Sequence, residues 1–262
     1  MHGMNYLHIE SLCKSFSNPS VPSQGLVLNS ISFDVSEGSF TSIFGPNGSG
    51  KTTILNIISG ISKADSGIIR IKETSAAKTN ISYVFQDYSS SLMPWLTCLD
   101  NIALPLKLHS MKNRSERRRF VENFVEQDLQ LSGIPFYRYP YQCSGGQKQM
   151  TALARALITQ PELLLIDEGF GSLDYSTRLS LEKKLLEIWQ KLKNTILLVS
   201  HEIDEAIFIS DKIIILSKAP SSVIDIVQVD LPRPRIYEEI IGTSKFQQLR
   251  SKVISLFLNG QK

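Results

Sequence analysis

Near its start the chain carries two stretches, residues 6–16 and 26–35, in which apolar and polar side chains roughly alternate. That period predicts strands with one buried face. The Asn18-Pro19-Ser20 and Pro22-Ser23-Gln24-Gly25 signals between them predict turns, so the pair reads as an antiparallel layer. Leu163-Leu164-Leu165-Ile166 and Thr195-Ile196-Leu197-Leu198-Val199 are instead continuous apolar runs, the pattern of parallel strands covered on both faces. Residues 40–44, 68–71, 81–85, 213–216 and 224–229 read as further strands, with Asp65-Ser66-Gly67 as a turn.

Helical spacing takes over after Asp87. Thr97-Cys98-Leu99-Asp100 fits a capping box ahead of Ile102, Ala103 and Leu106, with Pro105 limiting that helix. Residues 114–131 read as one helix with Phe120, Phe124, Val125 and Leu129 near one face. Its run Arg117-Arg118-Arg119 is either a solvated face or a phosphate or lipid contact. Helices are also predicted after Gln147, where Met150, Leu153, Ala154 and Leu157 hold core spacing, and over residues 176–192. Leu231-Pro232-Arg233-Pro234-Arg235 marks a stiff turn before a helical tail. In that tail Phe246, Leu249, Val253 and Leu256 are spaced to dock on a surface. The expected organisation is an α/β core with an antiparallel β layer (1–88 and 160–235), an inserted helical subdomain (89–159) and the C-terminal tail (236–262).

Composition adds limits. A chain of 262 residues, 42% hydrophobic and 20% charged, can bury a large core and shows no sign of disorder. With 28 basic against 25 acidic residues, the net +3 is too even to argue for a nucleic-acid surface. Cys13, Cys98 and Cys143 are widely spaced and form no C-x-x-C, which suits a reducing cytosol better than a disulfide scaffold or a zinc site. No apolar run reaches the length of a membrane span, and the polar start lacks a secretory signal's features. The expected location is therefore cytosolic, with any membrane contact made through a partner.

The chemistry begins at Gly45-Pro46-Asn47-Gly48-Ser49-Gly50-Lys51-Thr52-Thr53, between a predicted strand and a predicted helix. Glycines let this loop turn tightly and aim N–H groups at phosphate oxygens, and the helix start adds its positive dipole end. Lys51 is expected to neutralise β- and γ-phosphates and Thr52 to ligate Mg²⁺, with Thr53 as a second hydroxyl in the same turn. Cys143-Ser144-Gly145-Gly146-Gln147 is a second helix start built from small residues and suited to an anion. Four polar side chains fall at strand ends, where open parallel sheets bind ligands. Gln86 is expected to offer its amide oxygen to metal or water, Asp167 to hold Mg²⁺ through its water shell, and Glu168 to polarise the attacking water. Asp167 and Glu168 are neighbours on a strand, so they point oppositely and need separate tasks. His201 ends the run that begins at Thr195 and is placed to reach a γ-phosphate. Phe16 is either an ordinary packing residue or a ring on which a base stacks.

The phosphate loop, Gln86, CSGGQ, LLLIDE and His201, in this order, resemble the nucleotide-binding subunit of an ATP-binding cassette transporter over nearly the whole length. The SGGQ segment is the most specific element. The resemblance implies a P-loop NTPase core of the RecA-like kind and head-to-tail homodimers. Two ATP molecules would be sandwiched, each between the loop of one subunit and Ser144, Gly145, Gly146 and Gln147 of the other. It makes Phe16 the adenine-stacking aromatic, Gln86 a sensor of metal and membrane subunit, and Asp174 in Ser172-Leu173-Asp174 part of a cross-dimer loop. Residues 92–97, 101–106 and 230–235 are similar to the nitrate, sulfonate and taurine importer group. Two permease subunits, an extracytoplasmic solute-binding protein, and a place on the cytoplasmic face of the membrane are thereby implied. Trp95 would then face the permease, or it is a packed loop aromatic. The family's alternative, a soluble ATPase acting on ribosomes or DNA, usually needs two cassettes or a long coiled-coil insertion. Three positions depart from the family pattern: Cys143 stands for leucine, Met150 for arginine and Gly169 for proline.

Overall fold

The computed structural model describes residues 5–16, 25–72, 80–108, 111, 113–168 and 174–260. In chain order the strands and helices begin with β1 (Asn5–Ser15), β2 (Leu26–Ser36), β3 (Phe40–Phe44), α1 (Lys51–Ile58) and β4 (Ser66–Ile71). There follow β5 (Ile81–Val84), α2 (Tyr88–Ser91), α3 (Cys98–Leu108), α4 (Arg114–Asn123), α5 (Gly145–Leu157), β6 (Leu163–Asp167) and α6 (Tyr175–Leu192). The last are β7 (Thr195–Ser200), α7 (Ile203–Ile209), β8 (Lys212–Leu216), β9 (Val223–Gln228), α8 (Tyr237–Ile240) and α9 (Ser244–Asn259). The chain divides into two compact units, Met1–Thr79 with Thr195–Lys262, and Asn80–Asn194.

In the first unit the alternating stretches form the antiparallel layer, ordered β2-β1-β4. The turn signals at 18–20 and 22–24 lie outside the described residues. Gly67, read as part of a turn, sits inside β4 at φ 103°, where a Cβ would meet Leu12 Cα of β1 at 2.6 Å. Close strand approach, not chain reversal, is what requires glycine there. In the second sheet of this unit β3 lies between β7 and β8, parallel to both, and β9 closes it antiparallel to β8. Every residue of β3 and of β7 is buried, as two-sided coverage demands. The tail docks: Phe246 and Val253 of α9 are fully buried against Phe44, Ile207, Ile213 and Val227, with Leu249 and Leu256 packed beside them. Burying two such side chains contributes about 3–6 kcal/mol, which accounts for the fixed position of α9.

The stiff turn also has a buried anchor. The Arg235 guanidinium donates to the carbonyls of Ile207, Phe208, Ser210, Val229 and Leu231, several of them at the end of α7, and burial pulls its pKa down to about 10. Arg233 donates to Asp211 and to the Ile209 carbonyl, closing the same helix end.

In the second unit β5 and β6 pair in parallel, Val84 opposite Ile166, and α3 packs on α4 and α5. Two helix readings change here. The helix α3 runs through Pro105 to Leu108 instead of stopping at it. The lost N–H and ring crowding cost about 3 kcal/mol, and burial of Ile102, Ala103 and Leu106 offsets this. The expected helix over 114–131 is α only to Asn123, and a π-helical turn, Phe124–Asp128, follows. That wider turn buries Phe124, Val125 and Leu129 together while Phe120 stays exposed. Thr97 does cap α3, accepting from the Asp100 N–H, but the Asp100 carboxylate turns to Arg118 at 2.7 Å and to Arg114. The arginine run is thus partly an internal tie between α3 and α4.

Candidate functional site

The loop between β3 and α1 is shaped by backbone that only glycine takes comfortably. Gly48 and Gly50 lie at φ 78° and 81°, and a Cβ on Gly50 would meet Leu28 Cδ2 of β2 at 2.5 Å. The loop is therefore pressed onto the antiparallel layer, which is itself fixed by Ser221 bonds to Val27 and Asn29. Gly50 precedes α1 with no side-chain cap. The buried Lys51 ammonium donates to the Gly45 and Pro46 carbonyls, both at 3.0 Å, so the cation is held within the loop. Thr52 and Thr53 follow in the first turn of α1. Ser49 Oγ is buried without a hydrogen-bond partner among the described residues.

The strand β7 runs beside β3, Phe44 opposite Ser200, so Gly45 and His201 leave neighbouring parallel strand ends. The turn at His201 is locked by Ser200: its Oγ accepts from the Glu202 N–H at 3.0 Å and pairs with the buried Glu205 carboxylate. No local sequence pattern announces this lock. Phe16 lies just past β1 and is 42% exposed, with the Lys14 ammonium 5.3 Å from its ring centroid. That ammonium is held in turn by Asp65 at 2.9 Å.

In the second unit β5 and β6 deliver Gln86, Asp167 and Glu168. Gln86 Nε2 donates to Glu168 Oε2 at 2.8 Å, so the amide nitrogen and not its oxygen makes this contact. Asp167 ends β6 buried, and the Tyr83 hydroxyl donates to it at 3.3 Å. Burial first, and the Asp167 charge second, push the Tyr83 phenol well above its ordinary range. Glu168 is already off the strand, at φ 46°. The two carboxylates are thus separated by a left-handed kink more than by strand alternation, a strained conformation of the kind that clusters at working sites.

Ser144 is the N-cap of α5. Its Oγ accepts from the Gln147 N–H at 3.3 Å while the Gln147 side-chain oxygen accepts from the Ser144 N–H at 3.0 Å. Gly145 and Gly146 open the helix, and a Cβ on Gly146 would lie 3.1 Å from Thr177 Cγ2 of α6. Asp174 caps α6, accepting from the Thr177 N–H and the Ser176 hydroxyl, and these bonds hold its carboxyl far below the usual range. Ser172, Leu173 and Gly169 lie outside the described residues.

Upstream, Trp95 is 70% exposed on a loop organised by a buried side chain, Asn101. Asn101 Nδ2 donates to the carbonyls of Met93, Leu96 and Thr97, and its Oδ1 accepts from the Met93 N–H. Packing therefore does not account for Trp95, whereas the loop displaying it is tied by the Asn101 hydrogen bonds. Among the described residues no helix is long and apolar enough to cross a membrane.

Comparison with known proteins finds matches over nearly the whole chain. A family model described as ABC transporter matches residues 28–171. The nitrate transport protein NasD of Klebsiella oxytoca is 34% identical over 97% of this chain and 97% of its own length. The nitrate import ATP-binding protein NrtD of Synechococcus elongatus is 34% identical, covering 95% of this chain and 90% of its own. The bicarbonate transport ATP-binding protein CmpC of the same organism is 38% identical over 98% of this chain, which spans only 38% of that longer protein. Among solved structures, the dimeric ATP-binding cassette MJ0796, in a post-hydrolysis state bound to ADP and Pi, superposes with a TM-score of 0.73 at 28% identity, covering 86% of this chain and 100% of that one.

Proposed function

The chain belongs to the ABC transporter family of ATP-binding ATPases, and on that premise we propose that it powers uptake of a small anionic solute such as nitrate or bicarbonate. The observation that carries the reading is its near end-to-end similarity to NasD, 97% of both chains. Sulfonates and the zwitterion taurine, implied by the resemblance of residues 92–97, 101–106 and 230–235, share with nitrate and bicarbonate a small anionic oxygen-bearing group.

In this reading the N–H groups of residues 45–50 and the start of α1 take the phosphates, and Lys51 balances their charge. Phe16 stacks on adenine. Thr52, Gln86 and Asp167 supply hard oxygen donors of the type Mg²⁺ prefers, and they would hold it. Bound there, Mg²⁺ would neutralise charge on the β- and γ-phosphates. Glu168 accepts a proton from the attacking water, and Gln86 Nε2 orients its carboxylate. His201, held by the Ser200 and Glu205 lock, steadies the γ-phosphate. Ser144, Gly145, Gly146 and Gln147 face the nucleotide of a second, head-to-tail copy, with Asp174 crossing that interface. The helical subdomain 89–159 presents Trp95 to one of two permease subunits at the cytoplasmic face of the membrane, and an extracytoplasmic binding protein delivers solute. The selectivity for solute lies in those partners.

Two measurements test this. Glu168→Gln is expected to lower kcat by about 10²–10³-fold while ATP binding persists, since the amide keeps an acceptor for Gln86 but cannot take a proton. An unchanged basal rate would remove Glu168 from the role of base. Tagged Glu168→Gln protein, captured from its own cells with Mg-ATP, is expected to bring down a polytopic membrane protein. Ribosomal or DNA-bound partners without one would overturn the importer reading.

A further inference from the structure

Cys143, one of the departures from the family pattern, lies against Cys98. Their Sγ atoms are 3.5 Å apart although the residues are 45 positions apart in sequence. Cys98 begins α3 and is fully buried, whereas Cys143 is partly accessible and its thiol donates to the Tyr139 carbonyl at 3.2 Å. The two segments are already stapled, because the Cys98 and Leu99 N–H groups donate to the Arg138 and Phe136 carbonyls at 2.8 and 2.9 Å. One thiol can thus meet an oxidant while the other waits behind it, the arrangement of a reactive and a resolving cysteine.

We propose that Cys98 and Cys143 form a thiol modification site, closing reversibly to a disulfide with a peroxide or a small disulfide oxidant and thereby slowing ATP hydrolysis. With peroxide, the Cys143 thiolate attacks one oxygen and the O–O bond breaks, giving a sulfenic acid and hydroxide, which takes up the Cys143 proton as water. The Cys98 thiolate then attacks the Cys143 sulfur; the S–S bond forms, the S–O bond breaks, and hydroxide leaves as water with the Cys98 proton. With a small disulfide the first step is exchange, and the same attack by Cys98 expels the small thiol. Burial pushes the Cys98 thiol up to about 11, which lowers its thiolate fraction and slows this second step.

The effect on activity follows from position and rests on the role proposed for Ser144. A disulfide brings the sulfurs from 3.5 Å to about 2.05 Å, so the pair must close by about 1.5 Å, and with Cys98 fully buried at the start of α3 most of that movement falls on the segment of Cys143. Ser144, the cap of α5, is the next residue. Displacing a phosphate-contacting group by about 1 Å can cost up to ~10²-fold in rate.

The full chain carrying Cys13→Ser, reduced and then freed of reductant, is treated with hydrogen peroxide or oxidised glutathione. Non-reducing peptide mapping by mass spectrometry is expected to find the Cys98 and Cys143 peptides joined, and dithiothreitol to part them. Hydrolysis is expected to fall about tenfold or more on oxidation and to recover with dithiothreitol, while Cys98→Ala and Cys98→Ser keep their rates under the same treatment. Joined peptides with an unchanged rate overturn the proposal, as does oxidation of Cys143 without joining. Equal losses in the Cys98 variants also overturn it, by assigning the effect to Cys143 alone. A reduced protein with no ATPase would fault the activity assigned above, and the peptide map would still decide whether the pair closes.

Discussion

The helix starts at Lys51 and at Gly145 look alike in sequence, glycine-rich and anion-seeking, but they are finished in different ways. Gly50 leaves α1 without a side-chain cap and in a left-handed conformation, and the Lys51 ammonium sits in the loop ahead of it. At α5 a reciprocal capping box joins Ser144 and Gln147. In the proposed reading the first start is a preorganised phosphate cradle with its own cation. The second is closed on itself, and its contribution is narrower: the Ser144 oxygen accepts from the Gln147 N–H, which leaves the hydroxyl proton to donate elsewhere. On this view α1 supplies most of the affinity for nucleotide and α5 supplies a contact that counts once a second copy is present.

The strongest way to break that division is at Lys51. Lys51→Ala is expected to weaken ATP binding by the isolated chain and to cut hydrolysis by about 10²–10³-fold, with circular dichroism unchanged. If a fluorescent ATP analogue binds Lys51→Ala as tightly as the parent, α1 is not the dominant start and the comparison fails.

The glycines sharpen it next. Gly50→Ala meets both a positive φ and a side chain at 2.5 Å, whereas Gly146→Ala meets Thr177 at 3.1 Å in an ordinary helical backbone. Thermal unfolding is expected to show a loss of about 1–3 kcal/mol for Gly50→Ala and under about 1 kcal/mol for Gly146→Ala, because the Thr177 methyl can yield slightly. Equal losses would mean that the loop relaxes where the geometry says it cannot.

How much of this could be read in advance depends on what fixes each feature. The strands β6 and β7 were legible as unbroken apolar runs, because burial on both faces leaves no other composition. The phosphate loop was legible because its chemistry needs glycine and lysine at set spacing. The π-helical turn at Phe124–Asp128 was not, since one extra residue in a turn barely alters a helical period. Asp100 looked like a capping acid, and its pairing with Arg118 depends on α4 folding back over α3. The kink at Glu168 and the Cys98–Cys143 contact are likewise products of tertiary structure, with no local pattern to announce them.

The smallest expected effect separates the two duties of Ser144. Ser144→Ala removes the cap and the donor together, so it should cost about 1 kcal/mol of stability and lower hydrolysis without weakening ATP binding by the isolated chain. Ser144→Asp is the more informative variant. A carboxylate caps a helix as well as a hydroxyl does and can still accept from the Gln147 N–H, so stability should return to near the parent value. Ionised, however, it has no proton to donate and carries charge of the same sign as a phosphate, so hydrolysis should stay at or below the Ser144→Ala rate. From Ser144→Ala to Ser144→Asp, stability therefore recovers while ATPase does not, if Ser144 serves the nucleotide. If both recover together in Ser144→Asp, the residue is only a cap, and the second helix start has no part in phosphate recognition.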